Sequence, residues 1–227
     1  MIKLYYHPSP NPLKAALFLE EAGMDYEVIP VDTKKGAQFS PEFLAINPNA
    51  KVPALIYDET IIFDSSAILL YLAEKTGKFL GENTPAARGR MLSWLMFVAS
   101  GVGPYIGQAA HFRHQVPGPR GYAFKRYDYE ADRHYAILDN VLAENQYMLG
   151  DIYTILDMSV VVWARIVPRV MGEDAWPRYP NLKRHLDEIS ARPAFQRADA
   201  IKDSSVFKLD MDDEARQYLF PHIKNSN

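Results

Sequence analysis

The apolar opening Ile2, Leu4, Tyr5 and Tyr6 predicts a strand over residues 2–6. From Pro12 onward, apolar residues recur at helical spacing (Leu13, Ala16, Leu17, Leu19), with Glu20 and Glu21 outside and Gly23 as a stop. Residues 26–31 read as a second strand, and 41–46 as a short helix closed by Asn47-Pro48-Asn49. Residues 52–57 and 61–63 read as strands around Asp58-Glu59-Thr60, a hairpin turn. The stretch DSSAILLYLAEKTG opens on serine, carries Lys75 in its last turn and ends on Gly77, the start and stop signals of one helix. The order β-α-β-α-β-β-α implies a small α/β unit with a mixed sheet, its first two strands parallel and joined by a right-handed crossover.

Beyond residue 86 the period changes. Residues 88–114 read as one long helical segment that Gly101, Gly103, Pro104 and Gly107 must bend or thin. A further helix is expected over 121–144. In YTILDMSVVVWARIV, Thr154 stands three residues before Asp157, the spacing of a capping box, and apolar residues on every face predict a helix buried inside a bundle. YPNLKRHLDEISARP reads as a more exposed amphipathic helix. The expected organisation is an α/β domain over 1–80, an all-helical domain over 87–203, and a tail over 204–227 that packs or frays.

Composition narrows the chemistry. With 48% hydrophobic and 23% charged residues in 227, the chain can bury a substantial core. A net charge of −3 gives no general attraction to nucleic acid or anionic membrane, and no stretch is long and apolar enough to span a bilayer. No leader pattern is visible, so a soluble cytoplasmic protein is expected. The chain has no cysteine, which excludes disulfides, thiolate metal sites and a cysteine nucleophile. His111 and His114 stand at i,i+3 without a third ligand, so no metal is expected.

YYHPSPNPLK puts three prolines just after the first strand. Asn11 followed by Pro12 fits an N-cap and a first helical residue, with Ser9 offering a hydroxyl just before. Asp64-Ser65-Ser66 opens a helix, where serines either cap it or help its free N–H groups hold an anion. Tyr105, Gln108, His111 and Phe112 share a helix face, as pocket wall or as core packing. By themselves, Gln38 and Lys51 read as solvated surface residues, Arg133 as a helix charge, His7 as a structural or solvated turn residue, and Tyr5 and Tyr6 as packing.

An α/β unit of this order followed by a helical domain resembles a cytosolic glutathione transferase over roughly residues 1–200. AKVPAL, FDSSAILLYLAEKTG and LGDIYTILDMSV carry that resemblance. GAQFSPEFLAINPNAKVPALI, AILLYLAEKTGKFL and GVGPYIGQAAHF are similar to the bacterial nu class and the related yeast nitrogen-regulator-like branch. The resemblance implies a thioredoxin-like first domain with Pro53 cis, and glutathione as co-substrate. Asp64 and Ser65 would hold its glutamyl end, the Val52 backbone beside Pro53 its cysteinyl backbone, and Gln38 and Lys51 its remaining backbone and glycyl carboxylate. Ser9 and Asn11 fall where nu-class relatives contact the sulfur, although Pro12-Leu13 replace a frequent Gly-His. Arg133 would lie near bound glutathione, and Tyr105, Gln108, His111 and Phe112 would wall the second-substrate or second-glutathione pocket. Thr154 and Asp157 would be structural.

The activity implied is attack of an activated glutathione thiolate on a disulfide or a small electrophile. Two glutathiones, or one glutathione disulfide, would fill the site, with no need for a protein cysteine. A homodimer is implied as well. The alternatives are a conjugating transferase or dehalogenase, and a non-catalytic binding or regulatory module.

Overall fold

Along Ile2–Tyr6 buried and half-buried residues alternate, the period-two signature of a strand with unequal faces. In the computed structural model, which describes residues 1–116, 120–203 and 207–222, this strand is central in a four-stranded sheet. Chain order runs β1 (Ile2–Tyr6), α1 (Pro10–Ala22), β2 (Tyr26–Pro30), α2 (Pro41–Ile46), β3 (Ala54–Tyr57), β4 (Thr60–Phe63) and α3 (Ser65–Thr76). It continues with α4 (Pro85–Phe97), α5 (Gly103–His114), α6 (Tyr122–Glu144), α7 (Ile155–Ala164), α8 (Val167–Met171), α9 (Pro180–Ser190), α10 (Pro193–Ala200) and α11 (Asp213–Leu219).

The chain divides into two compact units, Met1–Leu72 with Pro193–Asn227, and Ala73–Arg192. Residues 193–203, which the sequence groups with the helical domain, thus pack with the first unit. Of the expected tail, 204–206 and 223–227 lie outside the described residues.

In the first unit the strand order is β2-β1-β3-β4, with β1 parallel to β2 and antiparallel to β3, and β3 antiparallel to β4. Pro30 ends the edge strand β2, where a missing N–H breaks no ladder. The third strand begins at Ala54, after Pro53 rather than on it, and the Val52–Pro53 bond is cis. Leu4, Ala54 and Leu55 from the sheet and Leu17, Phe18 and Leu19 from α1 are completely buried. On the outer side of α1, Arg197 of α10 donates to the Glu20 carboxylate at 2.6 Å.

In the second unit the long helical segment begins at Pro85, capped by Thr84 Oγ1, which accepts from the Ala87 N–H at 3.1 Å. A π-helical turn over Val98–Val102 separates α4 from α5. A Cβ on Gly101 would lie 2.7 Å from His134 Nε2, so the turn is built around close approach to α6. Every residue of α7 is buried, and its capping box is complete. Asp157 Oδ2 accepts from the Thr154 N–H at 2.8 Å, and Oδ1 accepts from the Met148 N–H at 2.8 Å. His185 Nε2 lies 3.0 Å from the same Oδ1. Thr154 and Asp157 thus form the cap of α7. No described helix is long and apolar enough to cross a membrane.

Candidate active site

The loop after β1 differs from its sequence reading. Helix α1 starts at Pro10, and Ser9 is the N-cap, with φ −158° and ψ 165°. Asn11 and Pro12 are therefore the second and third helical residues, not cap and first residue. The reason lies in the prolines. A helix start leaves its first amides without intrahelical partners, so prolines there forfeit nothing. Pro10 and Pro12 both exploit this, which leaves the Ser9 and Asn11 amides as the donors of this end. The residue whose amide a cap would accept at the third position is Pro12, and Ser9 makes no side-chain cap bond. Its hydroxyl instead donates to the His7 carbonyl at 3.3 Å.

A cavity of about 300 Å³ lies against this loop. Four of the expected glutathione-site residues line it together: Ser9, Gln38, Lys51 and Val52. Gln38 is only 3% exposed, contrary to its reading as a solvated residue, and sits in a 3-10 turn over Ala37–Phe39. Its Oε1 is buried with no hydrogen-bond partner among the described residues, an acceptor whose loss of water is uncompensated. Lys51 is exposed. Buried Asn47 donates from Nδ2 to the Lys51 carbonyl at 2.6 Å, while its Oδ1 accepts from the Asn49 N–H at 3.0 Å. That staple sets the loop that delivers Val52 and Pro53.

Five lining residues are outside the expected site: His7, Pro8, Thr33, Ala50 and Leu219. His7 is buried, which lowers its pKa below the ordinary 6.5 against the opposing pull of Asp32. Its ring meets Phe207 edge-on at 5.2 Å. Leu219 ends α11, so the tail supplies part of the wall. No periodicity in the sequence marks that contact.

Asn11, Asp64 and Ser65 form a second cluster beside the loop. Asp64, at φ 71°, caps α3: its Oδ1 accepts from the Ser66 N–H at 2.8 Å and the Ala67 N–H at 3.1 Å. The cap is thus Asp64, through Oδ1, not the serines. Ser65 and Ser66 are buried, and the Ser66 hydroxyl has no partner among the described residues. Ser65 Oγ donates to Asn11 Oδ1 at 3.3 Å and accepts from Lys14 Nζ at 3.3 Å. No local pattern in the sequence marks Lys14. Burial pushes its ammonium down to about 8, with the Asp64 charge pulling the other way, so it is cationic near neutrality.

Arg133, Tyr105, Gln108, His111 and Phe112 belong to the second unit. Arg133 pairs with Glu130 at 2.9 Å. Tyr105 and Phe112 pack on Tyr127 of α6, at 6.2 and 5.3 Å between ring centres, whereas Gln108 is exposed. His114 Nε2 lies 2.8 Å from the Arg169 carbonyl. Among the described residues, no group of three or more His, Asp or Glu is arranged to hold a metal ion.

Comparison with known proteins accords with this geometry. The profile of the glutathione S-transferase N-terminal domain matches residues 1–74, and that of its C-terminal domain matches 123–197. The chain is 42% identical to disulfide-bond oxidoreductase YfcG of Escherichia coli (strain K12), over 86% of this chain and 92% of that one. It is 34% identical to protein URE2 of Candida albicans, over 86% and 68%. A glutathione transferase from Pseudomonas putida, solved with one glutathione disulfide per subunit, aligns with a TM-score of 0.83 at 34% identity, over 88% and 91%. A family member from Pseudomonas fluorescens, solved with two glutathione bound, aligns at 0.79 and 35%, over 87% and 91%. With both domain profiles matched and relatives alike over most of their length, the chain belongs to the glutathione S-transferase family.

Proposed function

We propose that this protein binds glutathione in the cavity of its first unit and carries out glutathione-dependent disulfide reduction. The observation that carries this reading is the buried, unpartnered Gln38 Oε1 in a cavity shared with Ser9, Lys51 and Val52. Such an acceptor calls for a ligand N–H, and a γ-linked tripeptide supplies two amide N–H donors and an ammonium at its glutamyl end. Lys51 offers a cation to the glycyl carboxylate, the Val52 backbone a short strand-like contact, and Asp64 and Ser65 a seat for the glutamyl end. A relative is a disulfide-bond oxidoreductase, and structural neighbours hold glutathione or its disulfide.

The bound thiol must ionise. A free thiol has a pKa of about 8.5, which donors and a positive helix end lower. Asn11 is the side-chain donor we assign. Its Oδ1 is taken by Ser65, while its Nδ2 makes no hydrogen bond among the described residues. Ser9 contributes second, because its proton is directed to the His7 carbonyl. The glutathione thiolate then attacks a substrate disulfide, whose S–S bond breaks and releases one thiolate. A second glutathione thiolate attacks the mixed disulfide, releasing the second substrate thiol and forming glutathione disulfide. Two electrons pass from two glutathiones to the substrate, and the protein needs no sulfur of its own. We further infer a cytoplasmic homodimer, on the family resemblance.

The test is retention on immobilised glutathione, followed by reduction of 2-hydroxyethyl disulfide against conjugation of chlorodinitrobenzene. Retention with disulfide reduction is expected. No retention overturns the glutathione site, and conjugation alone overturns the disulfide reaction in favour of a conjugating transferase.

A further inference from the structure

We propose that Lys14 is a positioning residue for thiol activation: its buried ammonium, acting through the Ser65 hydroxyl, holds the Asn11 carboxamide so that Nδ2 stays available to the glutathione sulfur. The inference rests on the disulfide-reductase reading and adds to it a residue that touches neither substrate nor sulfur.

The argument is one of hydrogen-bond polarity. A lysine ammonium has donors and no acceptor. Lys14 Nζ lies 3.3 Å from Ser65 Oγ, so the serine oxygen accepts on that side. Its O–H then goes to Asn11 Oδ1, also at 3.3 Å. An amide oxygen fixed in this way leaves Nδ2 on the other arm of the carboxamide. Both contacts are long for hydrogen bonds, so neither alone would fix the amide. The cation supplies the bias, because a charged donor on one side of a hydroxyl polarises it and strengthens its donation on the other.

Without that cation the Ser65 hydroxyl can accept from Nδ2 as readily as it donates to Oδ1. The amide could then turn over and present Oδ1, a lone pair, to a developing thiolate. Lys14 therefore matters to the thiol even though it stands behind two other side chains. It lies in the first turns of α1, is 2% exposed, and remains charged near neutrality with Asp64 as its electrostatic counterpart. Its positive charge also adds to the field at the helix end where the sulfur would lie.

Full-length wild type, Lys14→Met, Lys14→Arg, Asn11→Ala and the Lys14→Met/Asn11→Ala double variant separate this role from a packing role. The readouts are glutathione affinity by calorimetry, ultraviolet thiolate absorbance of bound glutathione against pH, and kcat and KM for disulfide reduction. For Lys14→Met the expected result is affinity within about threefold of wild type, a bound-thiol pKa higher by about one, and kcat near neutrality lower by about tenfold. Lys14→Arg keeps most of the activity. In the double variant Lys14→Met adds nothing to Asn11→Ala, because it acts through that residue.

Additive losses overturn the proposal. So does a loss confined to KM, which would assign Lys14 to the glutamyl carboxylate through Ser65. So does an unchanged bound-thiol pKa. If wild type reduces disulfides while Asn11→Ala is indistinguishable from it, the positioning role falls and the disulfide-reductase reading survives. If wild type does not bind glutathione, that reading falls first. Should Lys14→Met melt below assay temperature, Lys14→Gln, which keeps a donor and loses the charge, carries the same comparison.

Discussion

Ser65 Oγ donates to Asn11 Oδ1 at 3.3 Å, joining the start of α3 to the start of α1 across 54 positions of sequence. The bond occupies one arm of the Asn11 amide and leaves the other, whereas the Ser9 hydroxyl is turned to its own loop. Asn11→Ala is therefore expected to lower kcat for disulfide reduction by at least about tenfold, and Ser9→Ala by less than about threefold. Because Asn11 is not the N-cap, its loss costs only about 1 kcal/mol through the bond to Ser65. Steady-state kinetics and urea midpoints on both variants check the pair. The reverse ranking would make Ser9 the thiol donor.

Tyr218 of α11 covers Gly36. The glycine has φ 78°, and a Cβ there would lie 2.5 Å from Tyr218 Cε1. Asp32 holds the same junction, accepting at Oδ1 from the Lys34 N–H and at Oδ2 from the Lys208 N–H at 2.8 Å. Since Leu219 lines the cavity, Gly36→Ala should loosen the wall as well as strain the turn. The expected outcome is faster amide exchange over residues 207–219 and a glutathione KM raised about threefold, at a stability cost of about 1–3 kcal/mol. Unchanged exchange in that segment would show that α11 is held elsewhere.

How far the site was legible can be judged from single residues. The strands of the first unit, the parallel pairing of β1 with β2 and the Thr154–Asp157 box follow from local signals, periodicity and cap spacing, whereas the cis Pro53 is implied only by the family resemblance. The start of α1 lies two residues before the one expected from the sequence, because Ser9-Pro10 and Asn11-Pro12 are both good cap-and-first-residue pairs. Only the observation that two prolines can share a first turn selects the earlier one. Gln38 and Lys14 were illegible for a different reason. Both are buried, Lys14 against Ser65 51 positions away, and nothing local distinguishes them from solvated polar residues. The tail's share of the cavity wall is likewise tertiary, resting on Phe207, Tyr218 and Leu219 rather than on any pattern along the chain.

Asp157 is completely buried and accepts from the Thr154 N–H and hydroxyl and the Met148 N–H, with His185 Nε2 at 3.0 Å. Asp157→Ala orphans these donors and removes the cap of the most buried helix. A loss of about 3–5 kcal/mol is expected. Glutathione affinity per folded molecule should hardly change, since the residue belongs to the second unit. Chemical denaturation paired with calorimetry at low temperature checks both halves. A stable protein with impaired binding would give Asp157 a role in the site.

Lys14 also predicts how stability responds to alkali. Its ordinary value is 10.5, and burial depresses it to about 8 in the fold. Between those values the unfolded chain keeps a proton that the folded chain has released. Stability due to this group therefore rises with pH across that window, and below about 8 the fold carries the full cost of a buried ammonium. Replacing the residue removes the dependence. The difference in unfolding free energy, Lys14→Met minus wild type, should thus be most favourable to the variant near neutrality. It should shrink by on the order of a few kcal/mol as pH rises from 8 to 10.5. Urea melts of both proteins at matched pH measure that difference, and taking it cancels the tyrosines and other lysines that titrate in the same range. A difference that stays flat with pH would mean that the ammonium is solvated. Its charge would then be held by water rather than by Ser65, and the chain from Lys14 through Ser65 to Asn11 would lose the donor that gives it direction.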